Sequence, residues 1–315
     1  MLEKLKKASF TAPLPVLAAA LLIALSGRVL ETAAKGGTED LLLTYVVLEL
    51  IIFVLPGVLY AKCKQKGYTA GLHLISFGFS QLPFILLMTL VMATGSILLG
   101  LCYSHFDLQF DSSAAFWRDA LILSDGEIFG NEKEVLYLSL TLAVVPAFAE
   151  EFLFRGILLT EYSRYGAFPA LLVTSLLFTV IHFDPLLAPV YFLSGMALGY
   201  TALATRSAFA AAVTHALFNL YSFFVAPLVS NFISLEGGTV AIYYVVIVLF
   251  LISMMLAFGE GERLFAGYSI SGLSFPRRIK KRFAALPPAL ETLSPTLLLC
   301  ILLFVLVALK VLPAP

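Results

Sequence analysis

Long apolar runs separated by short polar breaks dominate this chain, and their lengths predict helices rather than strands. A helix of about 20 mostly apolar residues crosses a bilayer. Runs of that kind cover residues 12–30, 41–61, 74–102, 136–160, 168–184, 186–204, 207–227, 238–257 and 292–312. The fifth and sixth are short and joined by Phe183-Asp184-Pro185, so they also fit helices that dive into the membrane and return. The pattern predicts eight or nine crossings in one all-α transmembrane domain over residues 1–315.

The polar breaks carry an orientation signal. Lys4, Lys6 and Lys7 precede the first run, and Lys62, Lys64 and Lys66 follow the second. Arg164 follows the fourth run and Arg206 the sixth, while Arg263, Arg277, Arg278, Lys280, Lys281 and Arg282 follow the eighth. With nine crossings all of these fall on one side, which the positive-inside rule makes the cytoplasm. The N-terminus is then cytoplasmic and the C-terminus outside. The acidic segments 31–40 and 107–134 collect on the opposite side.

Residues 104–135 are expected to form an extracytoplasmic loop with a short amphipathic helix around 114–123. The basic segment 258–290 contains FPRRIKKRF, a composition that lies on anionic headgroups and does not point to nucleic acid. The basic N-terminus and the run after it could pass for a signal peptide, but read better as a retained first helix. No internal repeat, phosphate-binding loop or dinucleotide fingerprint is present.

Composition agrees with the membrane reading. Of the 315 residues 60% are hydrophobic and 13% charged, against about 25% charged in soluble domains. The mean hydropathy is +0.97. A soluble protein of this length could not hide so many apolar residues, so the chain is expected to be a polytopic membrane protein. Cys63, Cys102 and Cys300 are far apart and read as small apolar residues, not as a disulfide framework or metal site.

Candidate chemistry lies inside the apolar runs. Glu150 and Glu151 sit side by side in VVPAFAEEFLFRGILL. One such charge costs about 2.5–3.5 kcal/mol on insertion scales, so the pair needs a reason to be there. Arg155 is four residues after Glu151, a good ion-pair spacing. Glu150 points about 100° away and is left to face a cavity. Pro146 removes a backbone N–H four residues before Glu150 and is expected to bend the helix, as a packing kink or as the opening of a pocket.

His182 closes the fifth run, four residues after Phe178, and His215 and Asn219 share one face of the seventh. Taken singly, each has a bland role as interhelical glue. Only two other histidines exist, His73 and His105, both at membrane edges. Glu49 is the other acidic residue deep in a run, and reads as a protonated or hydrogen-bonded packing residue sooner than as part of the same cavity or a proton path.

Three spaced motifs recur in order: EExxxR at Glu150–Arg155, FxxxH at Phe178–His182 and HxxxN at His215–Asn219. In that order and spacing they resemble the CPBP family, which comprises the type II CAAX prenyl endopeptidases and their bacterial Abi relatives of bacteriocin processing or immunity. The resemblance covers residues 136–226, the expected catalytic core. It implies an intramembrane peptidase acting on a peptide or a membrane-protein tail, prenylated or not. By position it implies Glu150 as general base, His182 as a holder of the attacking water, and His215 with Asn219 as oxyanion donors. Glu151 and Arg155 would orient the helix.

Peptide hydrolysis fits such a set, since burial brings a carboxyl toward the near-neutral basicity a general base needs. Neither a Ser–His–Asp arrangement nor HExxH is evident. A metal-free route is favoured because it gives Asn219 a direct role. Zinc held by Glu150, His182 and His215 as a His₂Glu set is the alternative. Read at 1.5 Å per residue, His182 falls near the outer end of its run and Glu150 toward the inner half of the fourth. The turn at 183–187 is therefore expected to sink into the protein beside a water-filled cavity. Two rival readings keep the same residues: a proton-coupled transporter, although no matching halves are visible, and a non-catalytic relative that binds a partner or confers immunity.

Overall fold

Prolines and polar caps decide where the apolar runs become helices. The computed structural model describes residues 11–64, 74–105, 132–226, 239–270 and 294–309, with Val311. Among these residues every regular element is helical, in nine rods. Helix α1 is Leu14–Ala34. Helix α2 joins Thr38–Glu49, a π-turn at Leu50–Val54 and Leu55–Lys62. Helix α3 is Leu82–His105, entered through a 3₁₀ turn at Phe79–Gln81. Helix α4 is built from Glu132–Leu138, a π-turn at Ser139–Val144, Val145–Glu151, a second π-turn at Phe152–Leu158, and Leu159–Tyr162. Helix α5 is Ala167–Val180, α6 is Ala188–Thr205, and α7 is Ala208–Leu220 with a π-turn at Tyr221–Val225. Helices α8 and α9 are Thr239–Ile270 and Pro295–Ala308.

Five of these rods are long and apolar enough to cross a membrane, and two shorter apolar helices, Ala167–Val180 and Pro295–Ala308, accompany them. The chain is a polytopic, all-α membrane protein.

Several boundaries differ from those expected. The third run does not begin as a helix at 74: residues 74–78 form no regular element, and Gly78 and Gln81 set the 3₁₀ entry ahead of Pro83 in the first helical turn. Residues 74–78 are held from outside, because Ser207 Oγ donates to the Ile75 carbonyl at 2.5 Å while also capping α7. Helix α8 continues to Ile270, so Arg263 is helical and not in a loop, paired with Glu260 at 2.6 Å. The last helix is Pro295–Ala308, shorter than 292–312, and starts where Ser294 caps the Leu297 N–H. The segment 114–123, the acidic loop around it, the first three lysines, Lys66 and the run 277–282 lie outside the described residues. The three cysteines are free.

Both π-turns upstream of a proline have the same cause. Pro56 and Pro146 stand at the start of the helical piece that follows. A proline ring lacks the N–H and collides with the carbonyl four residues back, and widening the preceding turn relieves that collision. The bend expected at Pro146 therefore takes the form of the π-turn Ser139–Val144.

Helix α5 stops at Val180, four residues short of the expected end at 184. Its 14 residues reach only about 21 Å, less than the roughly 30 Å hydrocarbon core. Asp184 Oδ1 accepts the Leu186 and Leu187 N–H groups at 2.9 and 3.0 Å, and the Tyr103 hydroxyl donates to the Leu186 carbonyl at 2.6 Å. Phe183 and Leu187 are buried. The turn at 183–187, which follows His182 directly, is thus tied to α3 and to its own backbone.

Close packing around α4 completes the scaffold. It contacts α2, α5, α6 and α7, while α5 lies against α6. Gly195 permits that last approach, since a Cβ there would meet Ser175 Cα at 2.9 Å.

Candidate active site

Glu150 and Glu151 end the short α-helical piece of α4 between its two π-turns, and both side chains are buried. Glu151 Oε1 accepts Arg155 Nη1 at 2.6 Å. Arg155 is only 1% exposed, and its second terminal nitrogen donates to the Gly195 carbonyl on α6 at 3.0 Å. The guanidinium also lies 4.7 Å from the centre of the Phe178 ring, within cation–π range. One cation thereby links α4, α5 and α6.

Glu151 has a second partner. His215 Nδ1, on α7, lies 3.0 Å from the same Oε1. A carboxylate held by an arginine only accepts, so Nδ1 carries a proton and donates it. His215 Nε2 is then the ring nitrogen left for a reactant.

His182, in the turn after α5, is oriented in a different way. Its Nδ1 lies 2.6 Å from the Phe178 carbonyl. A carbonyl only accepts, so Nδ1 carries a proton and the neutral ring offers Nε2 as an acceptor. The imidazole stacks on Tyr191 of α6 at 3.8 Å and 21°. Phe178 packs against both histidines, at 4.8 Å from His182 and 5.8 Å from His215.

Asn219 donates Nδ2 to the Ala143 carbonyl at 3.4 Å, tying α7 to the first π-turn of α4. Glu150 differs from all of these. It is 8% exposed, and its Oε2 is buried with no hydrogen-bond partner in the protein. It is therefore a buried carboxyl beside the cluster, not one open to solvent. It interacts electrostatically with Glu151, Arg155 and Glu49.

The structure thus joins Glu151, Arg155 and His215 directly. His182 is brought beside them through Phe178, and Glu150 and Asn219 flank them on α4 and α7. Three contributors were not expected from sequence: Tyr191 under His182, Tyr45 bonded to Glu49, and the Gly195 carbonyl. The Gly195-x-x-x-Gly199 spacing on α6 was the available signal for close helix packing there. Glu49, read first as a packing residue, belongs to the electrostatic surroundings of Glu150.

Residues 132–221 match the family described as type II CAAX prenyl endopeptidase Rce1-like. This segment is an Rce1-like domain. It contains all of α4, α5 and α6, most of α7, and every residue of the EExxxR, FxxxH and HxxxN motifs. The match covers less than a third of the chain, and at the level of the family it supports a CAAX-type endopeptidase of the membrane with a peptide or protein as substrate. No curated protein and no solved structure matches the chain.

The zinc alternative can be compared with the side chains of the Rce1-like domain. Among the described residues no three His, Cys, Asp or Glu side chains come together as a metal-ligand group. Both histidine Nδ1 atoms face protein acceptors, which leaves each Nε2 as the ring nitrogen available to the site.

Proposed function

We propose that the chain hydrolyses a peptide bond within the membrane through water activated by Glu150. The observation that carries this reading is the contrast within the acidic pair. Glu151 is held by Arg155 and His215, whereas Glu150 Oε2 is buried without any protein partner.

In this reading Glu150 takes a proton from water as the water oxygen attacks the carbonyl carbon. His182 Nε2 accepts the other water hydrogen and fixes the direction of attack. The carbonyl electron pair moves to oxygen, where His215 and Asn219 donate. With Nδ1–H committed to Glu151, donation through Nε2 calls for the imidazolium form of His215. Collapse of the intermediate reforms the carbonyl and breaks the C–N bond, and Glu150 passes its proton to the leaving amine. The chemistry uses no metal. Such a base is worth about 10²–10⁴-fold.

The proposed substrate is a CAAX-type chain or a bacterial peptide or membrane-protein tail, with its scissile bond near the membrane surface. The proposed location is a bacterial plasma membrane with a cytoplasmic N-terminus. Lys64 and Arg164, which end the second and fourth runs, both reach Glu161, at 3.5 and 3.0 Å. That shared partner supports the cationic ends lying on one side.

The test is cleavage of candidate peptides by the full chain in proteoliposomes, wild type against Glu150→Gln. Loss of about 10²-fold or more is expected. Undiminished cleavage by the variant refutes the assignment. Proton-coupled uptake lost in the same variant, without cleavage by the wild type, favours a transporter.

A further inference from the structure

Glu49 stands on α2, outside residues 132–221, yet it is close enough to Glu150 for the two carboxyls to interact. Thr38–Glu49 packs against Val145–Glu151, which puts the two glutamates on touching helices. Glu49 is 7% exposed and its Oε2, like that of Glu150, is buried without a hydrogen-bond partner. Tyr45, one turn earlier, hydrogen-bonds the Glu49 carboxyl and itself lies near Glu150 and Tyr191. The groups that interact with the two glutamates are Tyr45 from α2 and Glu151 and Arg155 from α4, with Tyr191 of α6 beside Tyr45, His182 stacked on Tyr191, and His215 of α7 bonded to Glu151. Arg155, the arginine among them, is bonded to Glu151 and Gly195.

Two carboxyls that interact away from water resist ionising together, and their protons then belong to the pair. We propose that Glu49 and Glu150 hold one proton between them, and that Glu49 is the positioning residue that keeps it while Glu150 serves as base. This rests on the reading of Glu150 given above. In the reactive form of the pair Glu49 is the acid and Glu150 the carboxylate. Water gives its proton to Glu150 as its oxygen bonds the carbonyl carbon. The same proton leaves with the amine, and Glu49 keeps its own throughout. A second ionisation, at Glu49, would place another negative charge beside the developing oxyanion and slow the reaction.

The experiment uses the full chain in proteoliposomes, as wild type, E49Q and E150Q, with two readouts. Infrared spectra at neutral pH report the carbonyl stretch of a buried protonated carboxyl. That band is expected in the wild type and in E150Q, and its loss is expected in E49Q. The pH–rate profile of cleavage is expected to keep its activity in E49Q, with the alkaline limb moved upward by about one pH unit or more, the coupling at which two sites titrate as a pair. A band that persists in E49Q overturns the proposal, and so does an alkaline limb that superimposes on the wild type. Loss of cleavage by folded E49Q at every pH also overturns it, since a permanently neutral side chain should suffice. Unimpaired cleavage by E150Q instead overturns the catalytic reading, and the infrared band still decides whether the pair shares a proton.

Discussion

One oxygen of Glu151 serves both Arg155 and His215, at 2.6 and 3.0 Å. The orientation of an imidazole on α7 thus depends on an ion pair within α4. Glu151→Gln keeps the shape but leaves Arg155 buried without its counter-charge. Breaking a buried pair costs about 3–5 kcal/mol, so the melting temperature in detergent should fall and cleavage with it. An unchanged melting curve would falsify the structural role of the pair.

His215 is proposed to donate to the oxyanion, and such donors contribute mainly to the chemical step. His215→Ala should lower kcat by about 10²–10³-fold. KM should stay nearly constant. Steady-state kinetics on a cleaved peptide separate the two, and a change confined to KM would assign His215 to binding.

Tyr191 supports His182 through ring stacking at 3.8 Å. An aromatic pair contributes about 0.5–1.5 kcal/mol beyond its buried area. Tyr191→Phe should retain kcat/KM, whereas Tyr191→Ala should lose up to roughly tenfold. Equal loss in the two variants would point to the hydroxyl and not to the stack.

Gly195 and Gly57 make contrasting tests of close packing. A Cβ on Gly195 meets Ser175 Cα at 2.9 Å, while one on Gly57 meets the Phe152 ring at 2.7 Å and Ile157 Cδ1 at 2.9 Å. Backbone cannot step aside, but side chains can turn. Gly195→Ala should therefore cost about 1–3 kcal/mol, and Gly57→Ala less. Thermal unfolding of both variants under one condition ranks them.

Much of the site was legible because its partners repeat at helical spacing. Glu151 and Arg155 bond as their separation predicted, and Phe178 lies against His182. The end of α5 was harder to read, because hydrophobicity continues through Ile181 and Phe183. The residue before a proline avoids helical geometry, and Asp184 bonds to the N–H groups after Pro185, so polar punctuation overrode apolar continuity. The π-turns were not legible, since one extra residue in a turn leaves the apolar pattern unchanged. Glu49 is a buried residue bonded to Tyr45, as a packing role implies, but nothing local to α2 records that its helix packs against that of Glu150, a consequence of tertiary arrangement alone.

The shortness of α5 also decides what meets its polar end. A rod of about 21 Å cannot match the hydrophobic thickness of an ordinary bilayer unaided. From Ala170 to Val180 its residues are buried or half-buried, so neighbouring helices and not lipid cover it. The turn at 183–187, held by Tyr103 and Asp184, continues the chain beyond its last carbonyls. The mismatch that a lipid-facing helix would impose on the bilayer is here absorbed by the protein itself.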